Sequence, residues 1–160
     1  MTEDSGAGRR IVVGLDASPA SEAALRWAIR YARAVGAEVV AVHAFEAPVY
    51  SSYPYSETMP VMLDATFREG VRKRFEEDWC APLAAAGVRY RAVMADGRAA
   101  NVLLDVAERE TAELVVTGRR GLNTLGELVL GSVSHHLVHG STRPVVLVPG
   151  GEPGAAQASR

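Results

Sequence analysis

Apolar residues follow two alternating patterns along this chain. Mostly apolar runs occupy residues 11–15, 39–45 (His43 excepted), 88–94 (broken by Arg89 and Arg91), 114–117 and Val145–Val148. Between them the apolar positions are three and four apart. Leu25, Ala28, Ile29, Ala32 and Val35 form one face of a helix. Ser18 and Pro19 stand where the N-cap and first helical residue belong, and Gly36 where that helix closes. Phe67, Val71, Phe75 and Trp79 step by four through a second helical stretch, residues 61–86, with Leu83 beyond. Pro82 kinks or restarts it, Gly87 ends it, and Asp96-Gly97 turns the chain after the third strand. A third helix, 99–110, buries Val102, Leu103, Val106 and Ala107, and a fourth runs over 132–139.

The first two strands lack the polar alternation of a half-exposed sheet, so both sheet faces are covered and the strands run parallel. Strand 88–94 is less apolar and reads as nearer an edge. Five strands alternating with four helices, joined by right-handed crossovers, build an open doubly wound α/β sheet. A length of 160 residues suits one domain. Residues 1–8 read as a loose arm and 150–160 as a disordered tail. Residues 46–60, with three prolines and three tyrosines, read as an unusually long loop.

Composition removes several classes. A net charge of −2 gives no general basic field for nucleic acid. No apolar run approaches the ~20 residues of a membrane-spanning helix, and the first ten residues have no apolar core for a signal peptide. One cysteine, Cys80, excludes an intrachain disulfide and fits a reducing, cytoplasmic setting. It reads as a small buried or half-buried residue.

The chemistry collects between residues 114 and 149. Glycines are spaced Gly118-x2-Gly121-x9-Gly131-Ser132, between a strand and a helix start. Such a loop leaves backbone N–H groups unpaired ahead of a helix dipole, a ready seat for phosphate. Asp16 ends the first strand. In open α/β sheets ligands bind beyond the carboxyl ends of the strands, where strand order reverses. Asp16 and Gly118 meet there if their strands are neighbours. Asp16 also suits capping of the first helix.

At these residues the chain resembles the nucleotide-binding branch of the universal stress protein family. Its glycine pattern is matched at Gly118, Gly121, Gly131 and Ser132 without a spacing error. Residues 13–28 are similar to the family's first strand and helix, 42–45 to its second strand and 143–149 to its last; the likeness covers about residues 9–149. It implies strand order 3-2-1-4-5, a homodimer paired through Val145, Val146, Leu147 and Val148, and ATP or a related adenine nucleotide with Mg²⁺. Carried across, Asp16 holds the ribose. Leu15, Ala44 and Thr117 lie by the base, the first and last through their backbones. Gly118 and Gly121 cradle the phosphates. Gly131, Ser132, Val133 and Ser134 offer N–H groups, and the two serines their hydroxyls. Arg119-Arg120 is more basic than the family's usual loop; the pair either reaches the phosphates or stays solvated.

His139 shares a helix face with His135 and with His136, four and three residues before it, yet no nearby carboxylate or cysteine completes a metal set, so the three read as solvated or packed. His43 reads as a satisfied core or cleft histidine, and Trp27 and Trp79 as packing residues. Nucleophile-elbow, P-loop and dinucleotide fingerprints are absent from the sequence. The chain has parts for holding ATP and no evident machinery for using it beyond slow hydrolysis or autophosphorylation at Ser132 or Ser134. The reading is an ATP-binding regulatory homodimer of the stress response. The alternative is a nucleotide-free interaction module working through its dimer surface, and an enzyme acting on a nucleotide-like substrate ranks last.

Overall fold

The structure, a computed structural model, describes residues 8–46, 59–119 and 130–150, with 59–64 as backbone only. The readings made for residues 1–7, 47–58, 120–129 (Arg120 and Gly121 among them) and 151–160 lie outside the described residues.

Five strands form one parallel sheet: β1 (Arg10–Gly14), β2 (Glu38–Phe45), β3 (Tyr90–Asp96), β4 (Leu114–Gly118) and β5 (Val145–Val148), in the order β3-β2-β1-β4-β5. β1 lies between β2 and β4, with Val13 opposite Ala41 on one side and Val116 on the other. The strands alternate their apolar side chains between two cores. Ile11, Val13, Leu15, Val39 and Ala41 pack under helix α1 (Pro19–Val35). Val12, Val40, Val42 and Val115 pack under α4 (Ala99–Arg109) and α5 (Ser132–Gly140). Full burial of both faces is why these strands read as continuous apolar runs.

Helix α1 follows its sequence closely. Ser18 Oγ accepts the Ser21 N–H at 3.1 Å, Pro19 occupies the first turn, and Gly36 closes the helix at φ 71°. The second helical stretch is broken more deeply than Pro82 alone predicts. Helix α2 (Met59–Arg74) runs into a π turn, Phe75–Trp79, and α3 (Ala81–Ala85) restarts with Pro82 in its first turn. In the π turn the Cys80 N–H reaches the Phe75 carbonyl five residues back, at 3.1 Å. The wider turn brings Phe75 and Trp79 onto the same face. Phe67, eight residues before Phe75, is carried off that face and is 50% exposed.

Strand β3 starts two residues later than its apolar run. Gly87, at φ 65°, sets a left-handed helix close in which the Val88 N–H returns to the Leu83 carbonyl, so Val88 serves the turn. At its far end Asp96 still pairs opposite Phe45, and the reversal falls on Gly97 alone, at φ 130°.

The amino ends of the strands carry a rim of charge. Arg91 bonds Glu38 at 2.9 Å and Glu110 at 2.5 Å, and Arg10 lies 3.4 Å from Glu38 and 3.9 Å from Glu110. Arg9 pairs with Glu113, which also accepts the Tyr31 hydroxyl at 2.8 Å. Hydrogen bonding from Arg91 holds the Glu110 carboxyl below its ordinary 4.5. A folded-state value below the unfolded one stabilises the fold above the unfolded pKa, and that contribution disappears as pH falls through the folded value. Arg91→Ala is therefore expected to lower the urea midpoint at neutral pH. The gap to wild type should close in acid; a gap independent of pH would contradict this role.

Candidate functional site

The predicted site residues gather at the carboxyl ends of three adjacent strands. Leu15 and Asp16 follow β1, Ala44 lies near the end of β2, and Thr117 and Gly118 end β4. The strand order reverses between β1 and β4, where an open α/β sheet leaves a crevice.

The end of β1 is tightly bound. The Leu15 N–H donates to the Val42 carbonyl at 2.9 Å, and the Leu15 carbonyl accepts from His43 Nδ1 at 2.8 Å. Asp16 Oδ1 accepts the Ser18 N–H at 3.0 Å and the Ser18 hydroxyl at 2.5 Å. The helix cap itself is Ser18, so Asp16 orients the cap rather than forming it. Both bonds fall on Oδ1, and Oδ2 carries neither. Between these two residues Ala17 adopts φ 61°. A left-handed alanine costs about 1 kcal/mol, a strain found where surrounding structure fixes a functional turn.

The other wall is the start of α5, joined to the sheet through Arg119. The Arg119 N–H donates to the Val148 carbonyl at 2.8 Å. Its own carbonyl accepts the Gly131 N–H at 3.1 Å and the Ser134 hydroxyl at 3.1 Å. Ser134 Oγ also lies 3.0 Å from the Gly118 carbonyl, and the residue is 1% exposed. The Gly131 N–H and the Ser134 hydroxyl, both expected at the phosphates, here bond the carbonyls of Gly118 and Arg119 at the end of β4.

What remains are the backbone N–H groups of the first helical turn, Ser132, Val133 and Ser134. Gly131 provides no side-chain cap for them, and a helix leaves its first N–H groups without intrahelical partners. Ser132 is exposed, whereas the Val133 side chain packs into the α4/α5 core, as does Ala44. Arg119 Nε is buried with no hydrogen-bond partner among the described residues.

Gly118 has a second reason to be glycine, which its loop position did not reveal. A Cβ there would stand 2.6 Å from the Ala20 carbonyl carbon and 2.7 Å from the Ala20 Cβ. A cavity of about 270 Å³ lies on the opposite, α1 face of the sheet, bounded by Leu15, Ala17, Leu25, Trp79 and Pro82. Leu15 and Ala17, on either side of Asp16, form part of its wall.

Among the described residues no group of three or more His, Cys, Asp or Glu could hold a metal ion, and the His135 and His139 rings lie tilted at 53° with centroids 4.5 Å apart. No helix among them is long and apolar enough to cross a membrane. Burial pushes the Cys80 thiol up to about 11, which leaves it protonated and unreactive.

The model of the universal stress protein family matches residues 8–149. The chain belongs to that family. A universal stress protein of Thermus aquaticus is 34% identical over 145 residues, 88% of this chain and 98% of the relative. One from Mycolicibacterium smegmatis is 34% identical over 152 residues, 91% of this chain but 49% of the relative, so the chain spans about half of that longer protein. Among solved structures, hypothetical protein MJ0577 superposes with a TM-score of 0.76 at 23% identity, covering 88% of this chain and 95% of that one. A universal stress protein solved with cAMP gives 0.58 at 26% identity, covering 89% and 98%. An Archaeoglobus fulgidus member solved with dAMP gives 0.58 at 19%, covering 88% and 97%. The fold is thus that of the universal stress proteins, with the 3-2-1-4-5 order their resemblance implied.

Proposed function

We propose that this universal stress protein holds an adenine nucleotide, ATP with Mg²⁺, in the crevice between Asp16 and the start of α5. It acts in the cytoplasm as a homodimer paired through Val145, Val146, Leu147 and Val148, and nucleotide occupancy changes which partners it meets in the stress response. The observation that carries the reading is one juxtaposition. A strand-end carboxylate and a helix N-terminus with no side-chain cap among the described residues lie at the same reversal of strand order. A carboxylate suits paired ribose hydroxyls, and bare helical N–H groups suit phosphate.

In this arrangement Asp16 takes the ribose, the Leu15 and Thr117 backbones and Ala44 border the base, and the Ser132, Val133 and Ser134 amides take phosphate oxygens. Gly118 and Gly121 leave the loop backbone open to the phosphates, Gly131 leaves the helix start free of a competing side chain, and Arg119 contributes charge. Mg²⁺ enters on the phosphates rather than on a protein carboxylate cluster. The bound cAMP of the 26%-identical relative supports an adenine nucleotide as the ligand class.

Ser132→Glu tests the site without burdening the fold. A carboxylate in the first turn favours the helix dipole but repels phosphate. ATP affinity measured calorimetrically is expected to fall about tenfold or more, with the melting temperature unchanged or higher. Unchanged affinity would remove phosphate from the α5 start. A wild type that purifies empty and shows no thermal shift with ATP would leave the interaction module as the function.

A further inference from the structure

We infer that His43 is the positioning residue that sets ribose selectivity, acting through the Leu15 carbonyl on Asp16. The inference rests on the nucleotide reading above and adds to it a residue outside the binding set. A carbonyl only accepts, so the 2.8 Å contact makes His43 Nδ1 the donor, in the neutral and the charged ring alike. That bond continues the β1–β2 pairing one step past its last backbone bond, Leu15 N–H to Val42 carbonyl. The ring cannot easily turn away. It is tilted against Phe75 with centroids 5.7 Å apart, and meets Trp79 edge-on at 5.0 Å.

The Leu15 carbonyl belongs to the peptide unit that leads into Asp16. Beyond Asp16 the chain is fixed by Ala17 at φ 61° and by the two Ser18 bonds to Oδ1. His43 therefore fixes the upstream side of the carboxylate, as Ser18 fixes the downstream side. A carboxylate receives two vicinal hydroxyls only if its plane is held, because misaligned bonds weaken steeply. Freed on one side, it still meets the 3′-hydroxyl, which both sugars share, and loses the geometry for the 2′-hydroxyl.

The test compares ATP with dATP by calorimetry in wild type, His43→Asn and His43→Leu. Asparagine can place an amide N–H near the position of Nδ1, and leucine cannot. Wild type and His43→Asn are expected to prefer ATP about tenfold, and His43→Leu to bind both nearly equally. A His43→Leu protein that binds ATP and keeps the full preference would overturn the inference while leaving the nucleotide site standing. Should wild type bind neither nucleotide, the parent reading fails and this one with it. A readout needing no nucleotide covers a leucine variant that does not fold. Long-range ¹H–¹⁵N correlation spectra, with the His43 signals assigned by their loss in His43→Asn, should show Nδ1 protonated at a pH where the ring is neutral. An Nε2–H tautomer would overturn the proposal directly.

Discussion

Replacing Phe75 with alanine is expected to destabilise the protein by about 3–5 kcal/mol. Its side chain is wholly buried, opens the π turn, and lies against His43 at 5.7 Å and Trp79 at 5.9 Å between centroids. Removing the ring loses its transfer free energy and leaves a void under α1, which neighbouring β1 and β2 are too well paired to fill. Phe75→Leu keeps most of the volume and should cost about 1.5 kcal/mol or less. Equilibrium urea unfolding of both variants measures the difference. Two similar costs would mean that the ring's particular contacts, and not its volume, hold this corner.

Gly118→Ala is expected to cost about 3 kcal/mol, at the upper end for one added methyl in a packed site. The methyl would collide with backbone and side-chain atoms of Ala20 at 2.6–2.8 Å. Backbone cannot rotate aside, so α1 must lift from the end of β4. A Cβ on Gly150, just past β5, would meet Ala20 in the same way, at 2.8 Å. Any ATP affinity lost in Gly118→Ala should therefore come with a lowered melting temperature, unlike Ser132→Glu. A fully stable Gly118→Ala protein with lost affinity would instead assign this glycine to the ligand alone.

These two residues show what could be read in the sequence and what could not. The glycine spacing placed Gly118 and Gly131 at a strand-to-helix junction, because loop chemistry is local. That Gly118 also meets Ala20, nearly a hundred residues earlier, depends on the order of strands. Stepping by four marked Phe75 and Trp79 as one apolar face. It could not show that a π turn aligns Phe75 with Trp79, or that Phe67, carried round by four-residue steps in an α-helix, lies outside. Val145–Val148 and the limits of α1 were legible to the residue because caps and apolar runs are written locally. The charge rim was not, because Arg91 of β3, Glu38 of β2 and Glu110 at the end of α4 meet only once the sheet and that helix are packed together. At the strand reversal, the places of Asp16 after β1 and of Ser132 at the start of α5 were legible from residue type and order. The buried hydroxyl of Ser134 and the grip of His43 on Leu15 had no sequence signal, since serine and histidine give no sign of which way they turn.

Cys80 is the single cysteine of the chain, fully buried, with its thiol raised to about 11. It accepts no reagent while α3 and the π turn stay closed. A new cysteine on the surface could therefore carry a dye or spin label alone, without removing the native one. The native thiol would meanwhile keep time. Its slow modification in excess reagent counts each opening of the segment that carries Phe75 and Trp79, and a bound nucleotide that steadies the Leu15 end of β1 would slow that clock.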